Sequence, residues 1–210
     1  EENLSQFITS LERTGYDTII DQSGSYTVFA PTDEAFNTYF NNTSFSSVED
    51  IPMERLRQLV QGQIIINSWS EAQLQSLGTE GWIDPDDRYY NKPFGYKRKT
   101  VYREPNQEYP VRGSGRNVRI ANQEEAQGTR KAYVESRKYT PLFYEDYFTI
   151  NDLSPNDFTY YFDRSFDGSA LYYADAKVDS AGIPAENGFI YKTDKVVEPL
   201  PDGEEILKQG

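Results

Sequence analysis

Leu4, Phe7, Ile8 and Leu11 fall at i, i+3, i+4 and i+7, one face of a helix that Gly15 ends. The segment 16–21 continues as a short second turn, and the apolar run Tyr26–Ala30 then reads as a buried strand that Pro31 stops. Thr32 is placed as the N-cap of a following helix. Asp33 and Glu34 stand at the positive end of its dipole, and Ala35, Phe36, Tyr39 and Phe40 form its buried face. The acids of this joint therefore have a structural task. Ser25 lies too far back to act as an elbow serine, and no G-x-S-x-G pattern is present.

Pro52 fits the first position of a second helix, with Met53, Leu56, Leu59 and Val60 as its apolar stripe and Gly62 as its end. Gln63–Ile66 reads as a strand, and Ser70 caps a short helix after it. From Asp84 to Asn151 no long helical period appears. Within that stretch, 94–104 and 117–122 read as strands, while 107–116 and 123–131 read as loops. Thr140-Pro141 and Ser154-Pro155 each resemble a cap followed by a first-turn proline and predict two short helices. The end is strand-like again. Residues 170–178 read as one strand, Asn187-Gly188 as a tight turn, and Phe189–Glu198 as a strand that Pro199 stops.

The chain has 210 residues, enough for one large domain with its own core. It has neither cysteine nor histidine, which removes disulfides, thiolate zinc sites and the commonest general base. A formal charge of −13 disfavours nucleic acid as a partner, and no apolar run is long enough to cross a bilayer as a helix. Asp84-Pro85-Asp86-Asp87 offers oxygens to a hard cation but lacks the glycine and terminal Glu of an EF-hand, so no metal site or cofactor is assigned.

Charge is unevenly placed. Residues 88–138 hold 13 Lys or Arg against five acids, +8, and the rest of the chain is −21. Rings interleave with these cations at Trp82, Tyr89, Tyr90, Phe94, Tyr96, Tyr102 and Tyr109. Flat rings beside guanidinium and amide groups suit a sugar face or a partner protein. The same composition also suits a small core folded onto the acidic body.

Two segments together resemble a fasciclin-like domain. Y-T-V-F-A-P-T-D-E-A-F-N at 26–37 is similar to the first motif of that family, and N-G-F-I-Y-K-T-D-K-V-V-E-P at 187–199 to the second. The resemblance implies an α+β fold, a β-sandwich or wedge with flanking helices. It implies a single domain over 1–210 with a large elaborating insertion at about 84–152. It also implies structural roles for Thr32, Asp33, Asn187, Gly188 and Asp194. The positions of a Tyr-His pair found in many members read Gly62-Gln63 here, and a frequent second-motif histidine is Tyr191. The narrower similarity is to Bacteroidetes surface lipoproteins.

The expected function is a non-catalytic extracellular module for cell adhesion or for glycan or protein binding, at the cell surface or outer membrane. Contact with the membrane is expected only through a lipid anchor outside this chain. Tyr89, Tyr90, Tyr96, Arg98 and Arg103 are the candidate ligand-binding residues. A carboxylate-based glycoside hydrolase and a purely structural spacer remain the alternatives.

Overall fold

The computed structural model describes residues 3–22, 24–75, 97–103, 107–110, 125–126, 129–134, 137–179, 181–201 and 206–207. For 103, 107–110, 125–126 and 129–134 it describes the backbone alone. The expected strands at 117–122 lie outside these residues.

Two helices open the chain, α1 (Ser5–Thr14) and α2 (Tyr16–Gln22), hinged at Gly15, whose φ of 76° caps α1 in the left-handed conformation. The strand β1 (Tyr26–Pro31) leads into α3 (Asp33–Asn41), and Thr32 accepts a hydrogen bond from the Ala35 N–H at 3.2 Å, as its cap position predicts. Helix α4 (Met53–Gly62) is followed by β2 (Ile64–Ile66) and the capped helix α5 (Glu71–Leu74). Pro52 stands at the N-cap of α4, one place before the expected position, and Met53 lies partly exposed outside the apolar stripe.

The middle of the chain carries β3 (Lys97–Arg103), β4 (Gln107–Pro110), β5 (Glu125–Ala126), β6 (Thr129–Val134) and β7 (Arg137–Phe143). Parts of the segments expected as loops are therefore strands, with β4 and β5 both pairing to β6. The segment opening at Thr140-Pro141 is strand before it is helix, because β7 lies between β3 and β8 (Tyr172–Tyr173). Helix α6 (Glu145–Ile150) begins only after it, and α7 (Pro155–Phe162) starts on a capping box in which Ser154 and Asp157 satisfy each other. Residues 170–178 reverse at Ala174, whose φ is 51°, and give two short strands, β8 and β9 (Ala176–Lys177), instead of one. β10 (Ile183–Ala185) and β11 (Gly188–Thr193) form a hairpin whose second strand comes from the second motif, and β11 ends before the expected Glu198.

Among the described residues eight strands share one sheet in the order β10-β11-β1-β2-β3-β7-β8-β9. β3 and β7, both from within 84–152, are thus part of the main sheet. The sheet curls until its ends meet. Val178 bridges Thr193, and the Asp179 and Asp194 N–H groups donate to the carbonyls of Lys192 (3.0 Å) and Lys177 (3.1 Å). A separate three-stranded sheet has the order β4-β6-β5.

Period-two alternation sends the two sides of β1 and of β2 into different cores. Val28, Ala30 and Ile64 pack under α1, α3 and α4 with Phe7, Phe36, Leu56 and Leu59. Phe29, Ile65, Leu142, Tyr173 and Tyr191 fill the inside of the curl. A third cluster, Phe148, Phe158 and Tyr172, holds α6 and α7 against β8.

Candidate functional site

The motif residues converge on the seam between β1 and β11, which run parallel from Tyr26–Gly188 to Pro31–Thr193. Gly188 has no room for a side chain, because a Cβ there would stand 1.8 Å from the Tyr26 carbonyl oxygen. Asn187 donates from Nδ2 to the Ile20 carbonyl at 2.6 Å and so ties the turn to α2. Asp33 does more than its helix position predicts. It accepts from the Gln6 N–H at 2.8 Å and the Ser5 hydroxyl at 3.0 Å, and so caps α1 from another element. Asp194 accepts from the Lys177 N–H at 2.8 Å and pairs with both Nη atoms of Arg164, which pins the closing edge of the curl. The positions of the family's Tyr-His pair are also internal. The Gly62 carbonyl accepts from the Tyr173 hydroxyl, and Gln63 is buried and donates to the Val197 carbonyl at 2.6 Å. The Tyr191 hydroxyl donates to the Trp69 carbonyl at 3.0 Å. These contacts hold the fold and leave the named residues engaged with partners elsewhere in the same chain.

Of the five candidate ligand-binding residues, Tyr89, Tyr90 and Tyr96 lie outside the described residues. So do Trp82, Phe94 and the Asp84–Asp87 segment. Arg103 is the last residue of β3, its backbone opposite Arg137. Arg98 is buried, being only 4% exposed. Its guanidinium lies 5.0 Å from the Trp69 ring centroid and donates to the Gln73 carbonyl of α5 at 3.2 Å. Arg98, Thr100 and Tyr102 alternate inward along β3 while Lys97 and Lys99 face out, so the strand period overrode the charge. Burial raises the neighbouring Tyr144 hydroxyl to about 12.

The exposed apolar surface lies elsewhere. A groove of about 710 Å³ runs between β7 and the α6–α7 hairpin. Phe143, Tyr147, Phe158 and Phe162 line it, Lys97, Arg137 and Lys138 stand along the strand side, and Leu200, Pro201 and Ile206 border it from the C-terminal segment. Phe143 meets Tyr147 at 66° and Phe158 at 81°, edge to face, while Phe158 and Phe162 tilt at 46°. Beside it α7 presents Tyr160 (92% exposed) and Tyr161 (73% exposed) to solvent. The sequence held a signal for this face. Phe158 and Phe162 at i, i+4 take the buried side of α7, which leaves Tyr160 and Tyr161 outward. A second groove of about 430 Å³, beside α3, has its rim charges paired, Lys195 with Asp175 and Glu198 with Arg55.

Among the described residues no group of three acids could hold a metal ion, and no helix is long and apolar enough to cross a membrane.

Helices over a curled sheet, locked by a two-motif seam and carrying a separate exposed face, define a scaffold module of mixed α and β class. A family model for the fasciclin domain matches residues 2–134, and the chain belongs to that family. Fasciclin domains are generally extracellular, adhesion-type modules. Among solved structures, a FAS1 domain pair from the insect cell adhesion molecule Fasciclin I is similar at 15% identity and a TM-score of 0.41. The match covers 99% of this chain and 49% of that one, so the chain spans about half the length of that structure. No curated protein matches.

Proposed function

We propose that the chain is a non-catalytic extracellular interaction module that binds a glycan or a cell-surface protein. In this reading it is one domain over 1–210, displayed on the cell surface by a lipid anchor outside these residues, as in Bacteroidetes surface lipoproteins. The contact surface is the basic, ring-rich stretch together with the groove between β7 and α6–α7. One observation carries the reading. The motif residues are engaged in holding the fold, while rings and cations gather along the groove between β7 and the α6–α7 hairpin, with Tyr160 and Tyr161 exposed beside it. Recognition placed on a face carried by a rigid scaffold is the common division of labour in such modules. Because β3 and β7 belong to the main sheet, the elaboration to remove is 104–136, between them.

The test replaces 104–136 by a short linker and compares the variant with the parent on a glycan array and on cell surfaces. The parent is expected to bind and the variant, at an unchanged melting temperature, to lose most of that binding. Equal binding by the two proteins would sink the part of the assignment that lies in 104–136; Tyr89, Tyr90 and Tyr96, which that variant keeps, are tested by changing the three to Ser, with the same loss of binding expected. Turnover of glycosides, esters or phosphate esters that disappears on changing one Asp or Glu would overturn the non-catalytic reading.

A further inference from the structure

The groove beside α3 is built differently from the one beside α7. It holds about 430 Å³, within the size range of small-molecule sites. Three elements meet there: the C-terminal half of α3, the reversal between β8 and β9, and the chain that follows β11. Ala35, Val196 and Phe162 give it an apolar lining. Its charges cancel, because Lys195 pairs with Asp175 and Arg55 with Glu198, and the Tyr39 hydroxyl hydrogen-bonds with both members of the second pair. What this pairing leaves over is hydrogen-bonding capacity. Asp175 is only 9% exposed and gives one carboxylate oxygen to Lys195, while the other oxygen has no partner among the described residues. The Thr38 hydroxyl and the Asn42 Oδ1 are also without one among those residues, since Asn42 uses Nδ2 to reach the Thr38 carbonyl at 3.0 Å. Four residues apart, the two stand on one face of α3. The backbone that delivers Asp175 is strained, with Ala174 at a φ of 51°. Strain of this kind in a non-glycine residue persists only where its surroundings over-determine it, and it gathers at ligand sites.

We propose that this groove binds a neutral sugar, a single hexopyranose ring or the end of a disaccharide. A pyranose has an apolar C–H face and a rim of hydroxyls that each donate and accept. The groove offers the complementary set. Its aliphatic and aromatic lining suits the C–H face, the oxygens of Asp175, Asn42 and Thr38 accept, and the remaining N–H bonds of Lys195 donate. The Asp175 carboxylate, held in place by Lys195, makes the strongest contact, since a charge-assisted hydrogen bond is about twice as strong as a neutral one. The paired charges also reject charged ligands. An acidic or basic ligand has to break an ion pair already made, whereas a hydroxyl shares one. The groove has Phe162 and Leu200 in common with the larger one but none of its charged residues, so the proposal does not depend on the contact surface described above.

The experiment titrates the full isotope-labelled chain with the methyl glycosides of glucose, mannose, galactose and N-acetylglucosamine, and with maltose, cellobiose and lactose, and follows the backbone amide resonances. At least one of these sugars is expected to give saturable shifts at Thr38–Thr43, Ala174, Asp175 and Lys195–Glu198, with little change in affinity as salt rises. The uronic acid of the sugar that binds best is expected to bind at least about fivefold more weakly. Asp175→Asn is expected to weaken binding about tenfold. Where that variant fails to fold, Thr38→Ala with Asn42→Ala alters two exposed positions only, and is expected to weaken binding about fivefold at a nearly unchanged melting temperature. Three results would overturn the proposal: no saturable shift with any of these sugars, equal or tighter binding of the uronic acid, or a folded double variant that binds as well as the parent. Shifts confined to the amides of β7 and α7 would overturn it too, and would place the sugar on the contact surface described above.

Discussion

At the β1–β11 seam Thr27, Phe29, Ala30, Tyr191 and Thr193 are all buried, and the named polar groups face partners of the same chain. Across the molecule, α7 leaves two tyrosines in solvent beside a groove edged with cations. Both regions are rich in aromatic residues, and what separates them is closure. Phe29 lies flat against Tyr173, with centroids 4.0 Å apart at 4°, and also stacks on Tyr191 at 5.4 Å. The rings of the α6–α7 cluster close on one side only and stop at the groove. A ring count along the sequence therefore says little about recognition, and the side of the element on which a ring falls says more.

Gly188→Ala should break the comparison most severely, since relief of a 1.8 Å approach requires the two parallel strands to part. A loss of more than about 4 kcal/mol, or no folded protein, is expected in urea denaturation. Phe29→Ala empties the inside of the curl and should cost about 3–5 kcal/mol in the same assay. Arg98→Ala removes a buried guanidinium from Trp69 and from the Gln73 carbonyl, and should cost about 1.5–3 kcal/mol. A variant that keeps its stability but loses ligand binding would return Arg98 to the recognition surface.

Alkaline solution probes the closed region in a gentler way. Burial raises Tyr191 and Tyr144 from 10.0 to about 12. The stabilisation that their neutral forms supply is complete below the unfolded value and is lost as pH rises from 10 towards 12. Melting temperature should hold to about pH 10 and fall above it, and Tyr191→Phe with Tyr144→Phe should flatten that fall. The smallest expected effect lies on the open region. Tyr160→Ser with Tyr161→Ser should change stability by no more than about 0.5 kcal/mol per site, with any loss appearing in binding.

The strand, cap and helix at 26–41 were legible because every signal there is local: alternation, a stopping proline, a threonine at the cap. The two Xaa-Pro joints show where local signals divide. Ser154-Pro155 is followed by Asp157 at the third helical position, where a side chain can return to the cap, and a helix forms. Thr140-Pro141 has Phe143 at the equivalent place, with no acceptor to offer, and the pairing of β7 with β3 and β8 decides for strand. The reversal at Ala174 was not legible, since neither Gly nor Asn marks its positive φ, and the Ala174 N–H is held by the distant Pro141 carbonyl at 2.8 Å. The seam residues were readable from the two motifs, but Asp33 capping α1 depends on a contact no spacing encodes. The face of α7 was readable from its helical period, whereas the groove needs β7, α6 and the tail brought together from far apart.

The parallel register of β1 with β11 also sets an order of events during synthesis. β1 is made near the start of the chain and its partner near the end, so one edge of a very apolar strand stays unpaired until Gly188–Thr193 has left the ribosome. Such a pairing of distant segments makes for slow folding, and an open edge invites other chains to add to it. Any fragment that stops short of Gly188 keeps that edge permanently. Chaperone dependence and inclusion-body formation should therefore rise sharply for chains cut before the second motif, however much of the first they retain.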